Sequence, residues 1–215
     1  MRLYTGCRPK FVAAAVDRGR WAGHAVTGHA PTADMIAHPT PPDAAGALAL
    51  DGSPLTLEQI AAVAVGGRRA VLADGVADRM RRAVSVVAAL VDGGQTAYGI
   101  NTGFGRLASV RLPADDLAAL QLNLVRSHAC GVGPAIPEAV VRTALLLKAN
   151  SLCKGLSGTR PFVAQRLVEL LNLGVVPQIP CKGSVGASGD LAPLAHLTLV
   201  LLGMGAAQVN GRTLP

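Results

Sequence analysis

Gly183-Ser184-Val185-Gly186-Ala187-Ser188-Gly189-Asp190-Leu191-Ala192-Pro193-Leu194-Ala195-His196 is the stretch around which the rest of the chain is read. Its centre, Ala187-Ser188-Gly189, carries only small side chains. Gly183, Gly186 and Gly189 free the backbone for conformations that a Cβ forbids. An apolar run from Leu191 to Leu202 follows at once, opened by Asp190 at the N-cap position and Pro193 in the first turn. The local expectation is a glycine-rich loop at the N-terminus of a buried helix. Such an end suits an anion, yet neither G-x-x-x-x-G-K-S/T nor G-x-G-x-x-G is present. A nucleophile elbow fails too, because glycine would have to stand where Asp190 stands. From the residues alone, the loop is a tight turn before a helix.

Outward from that loop the sequence is punctuated as helices. Thr56-Leu57-Glu58-Gln59 has the capping-box pattern and leads into Ile60-Ala61-Ala62-Val63, stopped by Gly66-Gly67. A second helix is expected over Val76 to Val91, with Met80, Val84, Val87 and Val91 on one face and a stop at Gly93-Gly94. A third runs from about Ala114 to His128 with Leu117, Leu120 and Leu124 inward. A fourth follows Pro137, carries Val140, Ala144, Leu147 and Ser151, and stops at Gly155. A fifth starts at Pro161 and ends at Gly174, and the sixth follows the Ala187-Ser188-Gly189 loop. Asn210-Gly211 marks a tight turn, in the form of a small hairpin. The architecture is mainly α.

Composition narrows the function classes. Of 215 residues, 50% are hydrophobic and only 15% charged, which argues against disorder. Aromatics make up 3%, so the core must be built from Ala, Val and Leu. The net charge is +7, but its carriers are scattered, with doublets only at Arg68-Arg69 and Arg81-Arg82, read as solvated helix faces. No basic stripe with stacking aromatics is present, so no nucleic-acid partner is expected. No apolar run is long enough for a membrane span; Leu191 to Met204 is too short and carries His196. Cys7, Cys130, Cys153 and Cys181 lie far apart, without metal-ligand spacing, and read as buried free thiols in a reducing cytoplasm. Residues 1–45 differ from the rest: Arg2, Arg8, Lys10, Arg18 and Arg20 precede Pro39-Thr40-Pro41-Pro42, and no secretory h-region appears. They read as a disordered N-terminal extension, with Met35 as an alternative start.

Two further strings carry candidate chemistry. Thr96-Ala97-Tyr98-Gly99-Ile100-Asn101-Thr102-Gly103-Phe104-Gly105 is a glycine-punctuated loop presenting one of only two tyrosines. Taken alone, its Tyr packs a ring and hydrogen-bonds a hydroxyl. Asn123-Leu124-Val125-Arg126-Ser127-His128-Ala129-Cys130-Gly131-Val132-Gly133 ends the third helix, where a lone His is a favourable dipole partner. His196, on the Leu191-Ala195-Leu199 helix, reads as a core histidine bonded to backbone.

Together the three strings resemble the aromatic amino acid ammonia-lyases, and among them the histidine ammonia-lyases, in one register from about Leu48 to Pro215. The resemblance implies the N-terminal part of that mainly α fold over residues 46–215. Helices would surround the loop, while most of the central long-helix bundle is lacking. It implies that Ala187-Ser188-Gly189 cyclises into an electrophilic prosthetic group, 4-methylidene-imidazol-5-one, with no external cofactor and no metal. The Gly189 nitrogen would attack the Ala187 carbonyl carbon, water would leave, and Ser188 would lose its hydroxyl as a second water. Tyr98 is then the catalytic tyrosine acting on the substrate's β-proton. That role needs a phenolate-stabilising setting, since a free tyrosine titrates near about pH 10. Ser127 and His128 fall where the family contacts the substrate side chain. A Ser-His pair resembles the histidine-specific members, whereas Phe-Leu and His-Leu resemble the phenylalanine- and tyrosine-specific ones.

The implied activity is non-oxidative deamination of L-histidine to trans-urocanate and ammonia by a cytoplasmic homotetramer. Asn150-Ser151 and Lys154-Gly155-Leu156-Ser157-Gly158 match family segments that pack around the loop. The family's second tyrosine, carboxylate-binding arginine and asparagine lie in a C-terminal part with no match here. Three other readings stand beside this one. They are an aminomutase using the same group, a fragment without activity of its own, and a serine hydrolase through Ser188, for which no His/Asp partners are identifiable.

Overall fold

The computed structural model describes residues 46–113, 116–184 and 191–215. The extension expected over 1–45 and the triplet Ala187-Ser188-Gly189 lie outside the described residues. Within them, six α-helices are joined by short strands: β1 (Leu48–Leu50), α1 (Leu57–Ala64), β2 (Ala70–Leu72), α2 (Val76–Asp92), α3 (Leu117–His128), β3 (Val132–Ala135), α4 (Glu138–Cys153), α5 (Pro161–Asn172), β4 (Val176–Pro177), β5 (Pro180–Lys182), α6 (Leu191–Leu201), β6 (Ala207–Val209) and β7 (Arg212–Leu214).

The helix boundaries follow local chemistry. Thr56 accepts the Gln59 amide at 3.2 Å, and the Gln59 side chain accepts the Thr56 amide at 2.9 Å, so the capping box at α1 is formed in both directions. Pro161 opens α5 in its first turn, and α5 gives out just before Gly174, whose φ is +66°. Asn210 and Gly211 both take positive φ, 49° and 75°, which is the two-residue turn that joins β6 to β7 as the expected hairpin. No helix of the described residues is long and apolar enough to cross a membrane.

The core is centred on α4 and α5. Leu145, Leu146, Ala149, Leu167, Leu170 and Leu171 are buried there, with Leu48 and Leu50 of β1, Val63 of α1, and Val76 and Met80 of α2 packed around them. β1 and β2 run parallel, β3 pairs antiparallel with β5, and β4, β6 and β7 form a second antiparallel sheet. Among the described residues, the outer side of β2 has no third strand. Instead, the Asn172 side chain accepts from the Ala70 amide at 3.0 Å and donates to the Ala70 carbonyl at 2.8 Å.

Polar ties hold the helix ends. Arg142, in the first turns of α4, donates to Ala64 O at 2.8 Å and Val63 O at 3.0 Å, both in the last turn of α1, and to Leu171 O of α5 at 3.2 Å. Arg79 of α2 donates to Cys153 O at 2.9 Å, at the end of α4. These cations sit on carbonyls at the C-terminal ends of helices, where the negative end of the helix dipole favours them.

On α4 the inward face is Val141, Leu145, Leu146, Ala149 and Leu152, while Val140 and Leu147 are exposed. Several expectations need correction. Leu117, Leu120 and Leu124 of α3 are half-buried, and no residue of α3 is fully buried. Arg68-Arg69 lie between α1 and β2, where Arg68 donates to Gly46 O at 2.7 Å, and not on a helix. Of the described cysteines, Cys130 and Cys181 are exposed and only Cys153 is buried, its thiol pushed up to about 11 by burial.

Asn150 and the 154–158 segment are held by neighbours far from them in sequence. Asn150 accepts the Gly52 amide at 3.0 Å and donates to Ser53 O at 2.8 Å, bridging to the turn after β1. Gly155 and Gly158 lie against Arg79 and Val87 of α2, where a Cβ would stand 2.7 Å and 2.4 Å from those side chains.

Candidate active site

α3 ends on the polar pair. Ser127 Oγ donates to Leu124 O at 3.0 Å, and His128 Nδ1 lies 2.8 Å from the same carbonyl and 3.2 Å from Ser127 Oγ. A carbonyl only accepts, so this contact places the imidazole proton on Nδ1. In the neutral ring, Nε2 then carries the lone pair. One backbone oxygen therefore fixes both the orientation and the tautomer of His128.

Just beyond the pair, the chain is pinned to both flanks of the 185–190 segment. The Gly131 amide donates to His196 Nε2 at 3.0 Å. Gly183 is set so close that a Cβ there would stand 3.0 Å from Gly131 Cα and 3.1 Å from Ala192 Cβ. β3 continues the contact, pairing Val132 with Lys182 and Ala135 with Pro180, and the Ile136 amide donates to Ile179 O at 2.8 Å. The register leaves Gly133 at φ +92°, beside Cys181 Sγ.

His196 is therefore bonded to backbone, as the sequence suggests, and its partner is Gly131. The bond needs an unprotonated Nε2, and burial lowers the His196 pKa from the ordinary 6.5. The folded chain then binds this proton less readily than the unfolded chain. Its contribution to stability is fully present above the unfolded value and is lost as pH falls through the lowered folded one. Thermal melting followed from about pH 8 to about pH 5 should show a decline that begins below about pH 6.5. His196→Gln, which keeps an acceptor without titrating, should flatten that part of the curve.

Tyr98 sits on a separate loop after α2. Its ring meets Phe104 edge-on, with centroids 5.7 Å apart, and the residue is 65% exposed. Among the described residues its hydroxyl has no hydrogen-bond partner, and no hydrogen bond or ring contact joins it to Ser127 or His128.

What holds this loop is Asn101, 1% exposed, which accepts the Ala97 amide at 2.8 Å and donates to Gln95 O at 2.7 Å. Thr102, fully buried, donates to Gly103 O at 2.9 Å, and the Leu112 amide closes the loop on Asn101 O at 2.9 Å. Asn101→Ala removes both side-chain bonds and leaves two backbone groups unpaired. It should cost about 2 kcal/mol locally, read as faster amide exchange at Ala97 and its neighbours.

Sequence reasoning missed Asn101 as the brace and Gly131 and Gly183 as the close-approach pair. The signal for Asn101 was present, since a buried Asn beside a turn commonly bonds local backbone. Nothing in the sequence pairs residue 131 with residues 183 and 196.

The description "Aromatic amino acid lyase" matches residues 55–215. The histidine ammonia-lyase of Anaeromyxobacter dehalogenans is 56% identical over 160 residues, which is 74% of this chain and 32% of that protein. The histidine ammonia-lyase of Bacillus subtilis is 47% identical over 166 residues, 77% of this chain and 33% of its own length. Among solved structures, ergothionase from Treponema denticola superposes with a TM-score of 0.75 at 32% identity, covering 78% of this chain and 34% of that one. Histidine ammonia-lyase from Trypanosoma cruzi superposes with a TM-score of 0.70 at 39% identity, covering 78% and 32%. The chain thus spans about a third of the length of the curated relatives it matches. Its helices have the arrangement of the corresponding part of those structures. The chain belongs to the aromatic amino acid lyase family.

Proposed function

We propose that this chain forms the loop-bearing part of a carbon–nitrogen lyase that converts L-histidine to trans-urocanate and ammonia, through a methylidene-imidazolone made from Ala187, Ser188 and Gly189. The observation that carries the reading is the junction at Gly131. The helix end bearing Ser127 and His128 is tied by Gly131 to residues on both sides of the triplet, to Gly183 on one flank and to His196 on the other. Those flanks fit such a group. At Gly183 the backbones approach so closely that any Cβ would fill the space.

The cyclised triplet would supply an electrophilic carbon that acts as an electron sink for the substrate, covalent catalysis from the chain's own atoms. In the reaction the Cα–N bond breaks, one β-proton leaves, and the electron pair of that C–H bond becomes the new double bond. Tyr98, presented on its Asn101-braced turn, is the residue that takes the β-proton and passes it on to the departing amine. His128, held with Nε2 as an acceptor by the Leu124 carbonyl on Nδ1, receives the substrate imidazole N–H, with Ser127 beside it as the second polar group of the pair. An apolar pair here would leave a buried imidazole unsatisfied, which disfavours histidine relative to phenylalanine. A homotetramer in the cytoplasm, with the substrate carboxylate held by residues beyond the matched third, belongs to the same reading.

The test is the mass of the tryptic peptide Gly183 to Arg212 from the purified chain, which holds the whole triplet and no internal Lys or Arg. Loss of two waters supports the reading, and an unmodified mass removes it for this chain. One observation favours a second reading: the phenylalanine aminomutase of Pantoea agglomerans superposes with a TM-score of 0.73 at 32% identity. An aminomutase would return the ammonia to the β-carbon, so chromatography of the products separates a β-amino acid from urocanate.

A further inference from the structure

We propose that His196 is a positioning residue: by accepting the Gly131 amide, it clamps together Gly183 and Ala192, the residues bounding the loop, and so promotes closure of the triplet. The inference rests on the reading of Ala187-Ser188-Gly189 as a self-cyclising sequence. Ala192 and His196 stand one turn apart on α6 and therefore share a face. From His196 Nε2 the circuit runs 3.0 Å to the Gly131 nitrogen. It passes by close approach from Gly131 Cα to Gly183, and returns from Gly183 to the Ala192 methyl. The two ends of the intervening span are thus held by side-chain and backbone atoms that lie outside it. Gly131 itself has no room to spare, since a Cβ would stand 3.1 Å from His196 Nε2 and 3.2 Å from Pro180 Cβ.

Ring closure is an intramolecular step, so its rate depends on how often the backbone is compact enough for the Gly189 nitrogen to reach the Ala187 carbonyl. Holding the ends of the span together removes the loop-closure entropy that an open segment would otherwise lose on reaching that shape. The chemistry balances without an oxidant or reductant. The Gly189 nitrogen bonds to the Ala187 carbonyl carbon, and its proton passes to the former carbonyl oxygen. That hydroxyl leaves with the Ser188 amide proton as the first water, and the Ser188 hydroxyl leaves with the Ser188 α-proton as the second. The role assigned to His196 is exerted through Gly131, whose amide it accepts.

The experiment compares the wild-type chain with His196→Leu, His196→Gln and Gly131→Ala. It reads amide hydrogen exchange at Gly131 and Gly183 by NMR, and the rate at which the Gly183–Arg212 peptide loses two waters. His196→Leu removes the acceptor and should speed Gly131 exchange by roughly fivefold to tenfold, slowing water loss by a similar factor. Gln restores an acceptor and should rescue both readouts, which a purely space-filling role would not allow. Gly131→Ala keeps the imidazole but forces it aside, and should reproduce the Leu result. Unchanged exchange in the Leu variant overturns the proposal, and so does faster exchange with water loss at the wild-type rate. If the wild-type peptide keeps both waters, the cyclisation reading falls and this proposal falls with it, whereas two waters lost at one rate in the wild-type and Leu chains overturns the proposal alone.

Discussion

Ser188→Ala should abolish the second dehydration of the Gly183–Arg212 peptide and lower release of ammonia from L-histidine by at least about a thousandfold. The argument is chemical. The methylidene carbon can only come from a β-carbon that carries a leaving group, and Ala has none. Ring closure between Gly189 and Ala187 uses no atom of the Ser188 side chain, so the variant can lose one water and stop. Ser184→Ala is the matching control, because it removes a hydroxyl from the same peptide but not from the triplet. It should still lose two waters. Equal masses for the wild-type and Ser188→Ala peptides, after allowance for the missing oxygen, would show that no dehydration occurs at Ser188. The size of the activity loss follows from the role assigned: with the electron sink gone, the β-proton is no longer acidified and the amine stays a poor leaving group.

The largest effect on stability is expected at Arg142. Its guanidinium donates to Val63, Ala64 and Leu171, so one side chain closes the C-terminal ends of α1 and α5 against the start of α4. Hydrogen bonds from a cation are worth about 1.5–3 kcal/mol each, and a half-buried site lets water replace part of the loss. Arg142→Met keeps much of the apolar stem and should cost about 3 kcal/mol, a large fraction of the 5–15 kcal/mol typical of a domain. Arg142→Lys, with the charge but not the planar fork, should fall between the two. The contrast is Arg81, whose ion pair with Asp78 is 64% and 71% exposed. Arg81→Met should change stability by no more than about 0.5 kcal/mol. Urea denaturation midpoints measure both, and similar shifts for Arg142 and Arg81 would refute the claim that the helix ends are tied there.

The helices were legible because their stop and start signals are local. The Thr56/Gln59 box, Pro161, Gly94, Gly155 and Gly174 act on neighbouring backbone, and the structure uses each of them where the sequence places it. Apart from the β6–β7 hairpin that Asn210-Gly211 marks, the strands were not legible. β1 to β7 are two to four residues long, too short for alternation to show, and their partners are fixed by the packing of α4 and α5. Asn150 illustrates the same limit, since its partners Gly52 and Ser53 lie nearly a hundred positions away. At the candidate site, residue identities carried the resemblance, while the coupling of Gly131 to Gly183 and His196 depends on a close approach that only coordinates reveal.

The amide of Asn172 has one more consequence. A two-stranded parallel sheet exposes a free backbone margin on each side, and such margins invite another chain to add itself as a strand. On the β2 side, both polar atoms of Ala70 are already engaged by Asn172, and Ala70 is fully buried. The side chain mimics a neighbouring peptide group and ends the ladder there. Asn172 thus fills at Ala70 the place a further strand would take, and the carboxylate left by its deamidation would set an acceptor against the Ala70 carbonyl in place of a donor.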